Sequence, residues 1–237
     1  MSQYEEGLNQ SELDYQQNLS EIQEDAVDRI LSNGLELINY IEVADNASMF
    51  ARAMRDKIIH PDSPKLACKA KCHWCCHQSV GVSVPEVFRI TSHIKEKLEK
   101  KTYIKKLEAI DNKTRGKSPK QRARIEMPCA FLAYGECQIY EVRPLACQRQ
   151  TSYDLSDCKK AKPKGFPMGS ILSEKAHLVA YNGAIEGMYN GLSKVRPDTV
   201  IKGLDLTAAT LIALKNDAAS SEWIEGQDPF AGCELNT

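Results

Sequence analysis

The chain has 237 residues, of which 27% are charged and 42% hydrophobic, and its formal net charge is −1. This length can bury a core without disulfide staples, and the composition is that of an ordinary globular protein. No apolar run approaches the roughly 18 residues of a membrane span, and residues 1–17 lack the basic start and apolar stretch of a secretory signal. The sequence therefore predicts a cytoplasmic protein without a membrane partner.

Charge is unevenly distributed along the chain. Residues 1–28 carry eight carboxylates and no Lys or Arg, whereas residues 95–124 carry twelve Lys or Arg and four acids. The basic stretch has one aromatic residue, Tyr103, and a helical spacing of apolar residues, which is typical of a solvated helix face followed by a loop. The pattern does not favour a nucleic-acid partner, and it is compatible with an unidentified protein partner or with an intramolecular contact to the acidic N-terminus.

The N-terminal segment, residues 1–62, is expected to be helical. Residues 1–18 are expected to fray, because the first strong start signal is the capping box from Ser20 to Gln23. An apolar stripe at helical spacing follows, with a break predicted at Asn33-Gly34. The stripe consists of Ile22, Ala26, Ile30, Leu37 and Ile41.

A second helix is predicted from Ala47 to Ile59, and turn-forming residues, HPDSPK, separate it from a dense cysteine cluster. Four cysteines and two histidines fall within CKAKCHWCCH, residues 68–77. Eight of the nine cysteines lie between Cys68 and Cys158, and the ninth is Cys233. Cysteines used as small apolar residues would be scattered, so clustering in a reducing compartment predicts metal or redox chemistry. Ordinary free thiols and a transient redox disulfide are the alternatives.

Helical patterns resume on both sides of a second cysteine region. Ser83 to Glu86 is a further helix start, and the C-terminal patterns cover residues 170–195 and 205–216. The cysteine region between them is rich in turns, with a short hairpin predicted around Tyr134-Gly135. No strand–helix alternation appears, so we expect a mainly α protein with an irregular cysteine-rich metal-binding region and at most a short β-hairpin. The predicted organisation is an N-terminal helical segment at 1–62, a cysteine-cluster domain at 63–165 and a C-terminal helical segment at 166–237.

The cysteine spacings predict how the metal would be held. Thiols two or three residues apart in a loop can face one ion or cluster, whereas the widely spaced second set must be gathered by the fold. The predicted metal ligands are Cys68, Cys72, Cys75, Cys76, Cys129, Cys137, Cys147 and Cys158. Eight thiolates suffice for two four-coordinate sites or for one iron–sulfur cluster with others left over. His73 and His77 could ligate zinc, but we favour polar loop roles for both.

Basic residues near the second set could offset thiolate charge or hydrogen-bond the sulfurs. They are Arg143, Arg149, Lys159 and Lys160, and Arg143 is the best candidate because Pro144 fixes the adjacent backbone. A solvent-facing network of salt bridges is the alternative role for all four. The spacing of Cys68, Cys72 and Cys75, with Trp74 before the third cysteine, also matches radical S-adenosylmethionine enzymes. In those enzymes the motif follows a strand of a partial barrel, whereas here it follows a helix and a proline linker.

Four landmarks in order resemble the YkgJ family of cysteine-cluster proteins, also described as zinc- or iron-chelating proteins with a CxxCxxCC motif. The landmarks lie within about residues 66–160 and read CKAKCHWCC, SVPEVFRI, CAFLAYGECQIYEVRPLACQ and SYDLSDC. The first spacing is three residues where the family has two, Ala130 replaces a proline, and Gln148 replaces an arginine. None of these departures removes a cysteine. Tyr140, Glu141 and Asp154 also fall in the motif, and we expect them to serve packing and capping.

The resemblance implies a bound metal, either an iron–sulfur cluster, which we prefer, or zinc. The family is similar to flagellin lysine N-methylases, which look like iron–sulfur proteins that use S-adenosylmethionine. The chain has no glycine-rich nucleotide loop and no evident nucleophile–base pair. We therefore favour a metal-binding protein that is not an enzyme, and keep a methyl- or other group-transferase as the alternative. Cys233 is not expected to bind metal.

Overall fold

The computed structural model describes residues 7–96, 100–125, 127–166, 170–197 and 201–235. Over these ranges the chain forms ten α-helices and four two-residue strands, so the predicted mainly α fold is confirmed. The helices are α1 Gln10–Leu31, α2 Leu37–Ile58, α3 Val84–Glu96, α4 Lys100–Thr114, α5 Pro119–Ala123, α6 Leu145–Arg149, α7 Leu155–Ala161, α8 Lys175–Val195, α9 Leu206–Lys215 and α10 Ala219–Ile224. The strands are β1 Gly81–Val82, β2 Leu132–Ala133, β3 Glu136–Cys137 and β4 Leu204–Asp205.

The strands form two small antiparallel pairs. Strand β1 pairs with β4, with Val82 opposite Leu204, and β2 pairs with β3 in the predicted hairpin. The hairpin turn lies at Tyr134 and Gly135, whose φ angles are 54° and 79°. Positive φ at both central residues matches the right-handed twist of a tight hairpin. Three 3₁₀ turns, at Trp74–His77, Tyr140–Val142 and Lys162–Lys164, complete the regular structure.

Helix α1 begins ten residues before the predicted start at Ser20. Asn9 and Glu12 form the capping box that is used, with Glu12 N donating to Asn9 Oδ1 at 2.9 Å and Asn9 N donating to Glu12 Oε2 at 2.8 Å. Ser20 is fully buried in the middle of the helix. The prediction of a frayed start is therefore wrong for residues 10–18, while residues 1–6 lie outside the described residues. Two capping boxes compete in this sequence, and burial of Ser20 leaves the upstream one at the helix terminus.

The predicted break between the first two helices is confirmed, with Gly34 at a φ of 138°. Helix α2 starts at Leu37 rather than Ala47, so the predicted start is wrong by ten residues. The sequence pattern places Leu37 and Ile41 in the apolar stripe of the preceding helix, but both residues belong to the first turns of α2. The buried face of α2 begins at Tyr40 and continues through Val43 and Ala47.

Helix α8 packs directly on the backbone of α1. Gly183, Gly187 and Gly191 repeat every four residues and so line one face of α8. A Cβ atom added at Gly187 would lie 2.2 Å from the carbonyl oxygen of Ser20, and one added at Gly191 would lie 2.6 Å from Val27 Cβ. The absence of side chains at these positions therefore permits the close packing. Helices α1, α2 and α8 pack against one another, and we call them the helical frame.

Glu86 connects the helical part of the chain to the second cysteine region. The predicted capping box is confirmed, because Ser83 N donates to Glu86 Oε2 at 2.8 Å and the Ser83 hydroxyl also donates to that atom. Glu86 Oε1 accepts a third bond from Leu145 N at 2.7 Å, at the start of α6. Burial raises the pKa of Glu86, and the three donors act in the opposite direction.

The C-terminal helices follow the predicted patterns closely. Helix α9 is capped by Asp205, whose Oδ1 accepts from Thr207 N and Ala208 N at 3.0 Å each. Helix α8 starts at Lys175, five residues after the start of its pattern, and Ser173 instead donates to Thr151 O.

One hydrophobic core draws on residues from Leu19 to Cys233, and the domain boundaries given above stay a prediction. Within the described residues, no helix has the length and apolarity needed to cross a membrane.

Candidate metal centre

The first cysteine cluster forms an irregular loop between α2 and α3. Cys72 N donates to Lys69 O at 3.0 Å, and Cys76 N donates to His73 O at 3.0 Å, so two successive turns present the cysteines. Lys71 adopts a φ of 64° between these turns. Cys68 is exposed, and the other three cysteines of the loop are half-buried. The local geometry agrees with the prediction that this loop provides a cluster of neighbouring thiols.

The second set of cysteines comes from three different elements. Cys129 precedes the hairpin, Cys137 ends β3, Cys147 lies on α6 and Cys158 lies on α7. Cys129 N donates to Cys76 O at 2.7 Å, which fastens the hairpin directly to the first loop. The fold thus gathers cysteines whose sequence spacing is too long for one turn.

Ser152 fastens the other side of the first loop. Its carbonyl oxygen accepts from Ala67 N at 2.9 Å and lies 4.0 Å from Cys68 Sγ, which donates to it. The side chains of Ser152 and Cys158 are also hydrogen bonded. One buried serine therefore holds a cysteine of the first loop and a cysteine of α7 together.

Three thiols form a group at this edge, which we call the loop group: Cys68, Cys72 and Cys158. Burial is the main cause of the raised pKa of Cys68, and negative charge on Cys72, Cys75 and Cys158 raises it further. Burial likewise raises the pKa of Cys158, and charge on Cys75 and Cys72 adds to the rise. Such mutual effects require thiolates to lie near one another, so the loop group is a true spatial cluster.

A second group, which we call the hairpin group, consists of Cys129, Cys137 and Cys147. Burial raises the pKa of Cys129 to about 11, with charge on Cys137 adding to the rise. Burial also raises the pKa of Cys147 well above its usual range, and charge on Cys129, Cys75 and Cys137 contributes. These three thiols therefore influence one another as the loop group does.

Cys75 lies between the two groups. Its pKa is raised first by a hydrogen bond with the Cys76 thiol, then by burial and by negative charge on Cys76. Charge on Cys75 in turn raises the pKa of Cys68 and Cys158 on one side and of Cys147 on the other. The adjacent Cys75–Cys76 pair thus connects the loop group to the hairpin group.

Arg143 is a basic residue whose positive charge acts on several of these thiols. Its positive charge lowers the pKa of Cys75, Cys137 and Cys147, against the stronger effect of burial. The guanidinium also lies 4.2 Å from the centre of the Tyr140 ring. Other predicted cations are engaged elsewhere, since Arg149 donates to Asn182 Oδ1 at 2.7 Å and Lys160 pairs with Asp157 at 3.9 Å. Arg143 is therefore the basic residue placed to offset thiolate charge.

Among the remaining motif residues, Asp154 has the expected capping role, while the contact found for Glu141 is made by its backbone. Asp154 caps α7 by accepting from Ser156 N at 2.7 Å and from the Ser156 hydroxyl. Tyr140 is exposed and packs beneath Arg143, and Glu141 O accepts from an Arg89 guanidinium nitrogen at 3.1 Å. His73 Nδ1 lies 3.0 Å from Lys71 O, which places it in a polar loop contact.

Cys233 lies apart from both groups. It is 1% exposed, and Arg115 Nη1 donates to its sulfur at 3.1 Å. The charges that act on its pKa are those of Arg115, Asp111 and Glu234 rather than those of other cysteines. Cys233 is therefore separate from the eight predicted ligands, and its exclusion from metal binding stays a prediction.

A cleft of about 1410 Å³ opens between α1, α7 and α8, and none of the described residues that line it is a cysteine. Its walls come from the start of α1, the linker before the first cysteine and the start of α8, and they include Tyr153, Asp157 and Glu174. Asp157 is the residue before Cys158. Glu174 is buried. Its Oε2 atom is hydrogen bonded to His177 Nδ1 and lies 3.7 Å from Arg55 Nε. The cleft could therefore admit a ligand, and its link to the thiols is that Asp157 and Cys158 are neighbours in sequence.

The donor set fits a soft metal by its chemistry. All nine cysteines are free thiols, and thiolates are the common ligands of zinc and of iron–sulfur clusters. In the described part of the chain, no group of three or more His, Cys, Asp or Glu side chains is already arranged to hold an ion. Metal binding therefore requires the thiols to lose their protons and to close around the metal.

Two features of the site had no signal in the sequence. Ser152 contacts Cys68 across 84 residues of chain, and no local pattern marks a serine as a long-range anchor. Trp74 contacts Lys159 and Lys162 at 5.5 and 5.7 Å, although these residues lie at opposite ends of the cysteine region. Both contacts arise only when the fold brings the two cysteine segments together.

The comparisons with known proteins agree with this geometry. Residues 67–164 match the family model described as "CxxCxxCC: Putative zinc- or iron-chelating domain". No curated protein matches the chain, and no solved structure matches it. The matched segment contains both thiol groups and the Cys75–Cys76 pair. Residues 67–164 are therefore similar to CxxCxxCC domains, a family described as chelating zinc or iron.

Proposed function

We propose that this chain is a metal-binding protein of the YkgJ type, in which the loop group and the hairpin group bind iron or zinc. The observation that carries the proposal is the convergence of eight thiols from separate elements into two neighbouring groups joined by Cys75 and Cys76. The family match supports zinc or iron. Loop-group ligands would be Cys68, Cys72 and Cys158, hairpin-group ligands Cys129, Cys137 and Cys147, and Cys75 or Cys76 would complete either set.

An iron–sulfur cluster is the preferred cofactor, and zinc is the alternative. The resemblance to iron–sulfur methylases favours iron. Arg143 supports this choice, because a cation beside cluster thiolates tunes a reduction potential. Two neighbouring histidines, His73 and His77, favour zinc. When bound, an iron–sulfur cluster would supply redox or Lewis-acid chemistry, whereas a closed zinc site would supply stability.

Metal analysis after purification without oxygen tests the proposal. An iron–sulfur cluster predicts a brown protein with visible absorption and with iron and sulfide in stoichiometric amounts. Zinc in stoichiometric amounts in a colourless protein would reverse the preference. A protein with neither metal, both as isolated and after reconstitution, would contradict metal binding itself.

Cysteine variants assign the ligands. Cys147→Ser should remove metal from the hairpin group and Cys158→Ser from the loop group, so each variant should lose part of the metal if two sites exist. Cys233→Ser is the matched control and should keep the full content, because Cys233 is buried beside Arg115. Equal loss in all three variants would show that the losses reflect general misfolding rather than ligand removal.

A second candidate function is a group-transferase that uses S-adenosylmethionine. The cleft of about 1410 Å³ favours it, because a site of this size could hold a ligand and a substrate, and Asp157 in its wall precedes Cys158 in sequence. Binding of S-adenosylmethionine to the metal-loaded protein, measured by calorimetry, tests this candidate. Micromolar binding that is lost in Cys158→Ser would support the enzyme, and no binding would leave the metal-binding protein alone.

A further inference from the structure

Two lysines, Lys159 and Lys162, approach the indole of Trp74 in the cysteine region, and four more lysines lie next to these residues in sequence. We call this surface the lysine–tryptophan face, and it comprises Trp74 with Lys69, Lys71, Lys159, Lys160, Lys162 and Lys164. Lys162 and Trp74 are half-buried, and the other five lysines are exposed. Two segments far apart in sequence therefore meet at Trp74, and both carry lysines.

Trp74 is the point at which the two segments meet. Lys159 Nζ lies 5.5 Å and Lys162 Nζ 5.7 Å from the centre of its ring. The turn Lys162–Lys164 also packs against the turn Trp74–His77. Ammonium groups at this distance are attracted to the negative face of the ring. The indole thus holds two cations in place on a surface that is otherwise built from loops.

These cations keep their charge available to a partner. Of the six lysines, only Lys160 has a carboxylate within 4.0 Å among the described residues, and that partner is Asp157 at 3.9 Å. A contact with an aromatic ring orients an ammonium group without neutralising it. The face therefore presents positive charge in fixed positions, which steers and orients an anionic partner.

We propose that an acidic segment of a partner protein docks on the lysine–tryptophan face. Charge complementarity is the basis for the assignment, since Lys159 and Lys162 at the ring would gain carboxylates, and further exposed lysines lie next to both segments in sequence. Nucleic acid fits less well, because a base would need the indole face that the lysines already approach. His73 further occupies the indole, with its ring 6.2 Å away and inclined by 10°. Carboxylates can bind the ammonium groups and leave these ring contacts in place.

Because of where the lysine–tryptophan face lies, docking would bring a partner close to the predicted metal ligands. Trp74 lies between Cys72 and Cys75, and Lys159 follows Cys158, so a docked partner would border the loop group. Docking itself needs only the lysines and the indole. The proposal therefore stands or falls independently of which metal the thiols hold.

Binding of a labelled peptide of twenty glutamates to the full chain, as purified without oxygen, tests the proposal by fluorescence anisotropy. We expect Kd to rise about three- to tenfold in the variant Lys159→Ala/Lys162→Ala, because each exposed ion pair contributes modestly. The matched control, Lys101→Ala/Lys105→Ala, removes two exposed lysines from α4 and should leave Kd within about twofold. Circular dichroism should show unchanged helix content in both variants.

Tryptophan fluorescence locates the peptide. The chain has two tryptophans, and Trp223 is 2% exposed, so a change in emission on adding peptide should come from Trp74 and vanish in Trp74→Phe. Equal weakening in the α4 control would overturn the proposal, because net charge alone would then explain binding. Tighter binding of a twenty-nucleotide oligothymidine than of the glutamate peptide would also overturn it and would identify nucleic acid as the ligand of this face.

Discussion

The helical frame and the cysteine region of this chain hold their shape by different means. In the frame, α8 lies so close to α1 that a Cβ atom at Gly187 would touch the backbone of Ser20 at 2.2 Å. The cysteine region consists of short elements, namely three 3₁₀ turns, helices of five and seven residues, and a hairpin with two residues in each strand. A few backbone hydrogen bonds hold these elements together. Dense packing stabilises the frame by itself, whereas the cysteine region depends on long-range contacts and on whatever its thiols bind.

Removal of the metal should destabilise the cysteine region much more than the helical frame. A ligand held at about 1,000 times its Kd stabilises the bound fold by about 4.1 kcal/mol. We expect amide exchange at Cys129, which donates to Cys76 O, to accelerate by up to about 1,000-fold after chelation. Exchange in the middle of α8 should change by less than about twofold, as hydrogen-exchange mass spectrometry can show. Equal acceleration in both regions would mean that they unfold as one unit.

Substitution of Gly187 by Ala should damage the frame and spare the cysteine region. The added methyl group would collide with a backbone carbonyl, so we expect a loss of about 3 kcal/mol in the free energy of unfolding. Gly203→Ala is the matched control, because its Cβ would meet Tyr189 Oη at an ordinary 3.8 Å. Urea unfolding measures both variants, and metal content should stay unchanged in the folded fraction. Equal stability of the two variants would show that α1 and α8 can separate without cost.

Substitution of Glu86 by Ala tests the connection between the regions. The change removes the acceptor of the bonds from Ser83 and from Leu145 N, and we expect a loss of about 2 kcal/mol. Glu108→Ala removes a half-exposed carboxylate that pairs with Lys215 at 2.9 Å, and it should cost less than about 1 kcal/mol. Thermal unfolding compares the two. Because Leu145 starts α6, which carries Cys147, Glu86→Ala should also speed metal loss from the hairpin group, and an unchanged rate would argue against this connection.

The sequence predicted the helical character and the family of the cysteine region better than it predicted element boundaries. Ser20 and Asn9 both begin patterns of the capping-box form, and the choice between them depends on α8, which covers Ser20. Leu37 fitted the stripe of the first helix equally well, although it starts α2 beyond Gly34. Local patterns cannot decide between Ser20 and Asn9, because the deciding contact comes from Gly187, more than a hundred positions away.

The candidate site, too, could be predicted only in part from the sequence. Cysteine clustering and motif order predicted the eight thiols, because both are visible in the linear chain. Their division into a loop group and a hairpin group was not visible, since Cys158 is the last of the eight in sequence and yet lies with the first, Cys68. Ser152 produces this pairing through the fold, and no spacing rule includes it.

The contacts of Ser152 also set an order of events during synthesis. Cys68 to Cys76 leave the ribosome before the hairpin, and Ser152 and Cys158 follow only after several more seconds at about 5–20 residues per second. Until then, the first loop lacks its anchor through Ala67 and its third loop-group thiol. A growing chain therefore exposes four reduced cysteines that have no complete site, and these thiols are open to oxidation in that interval.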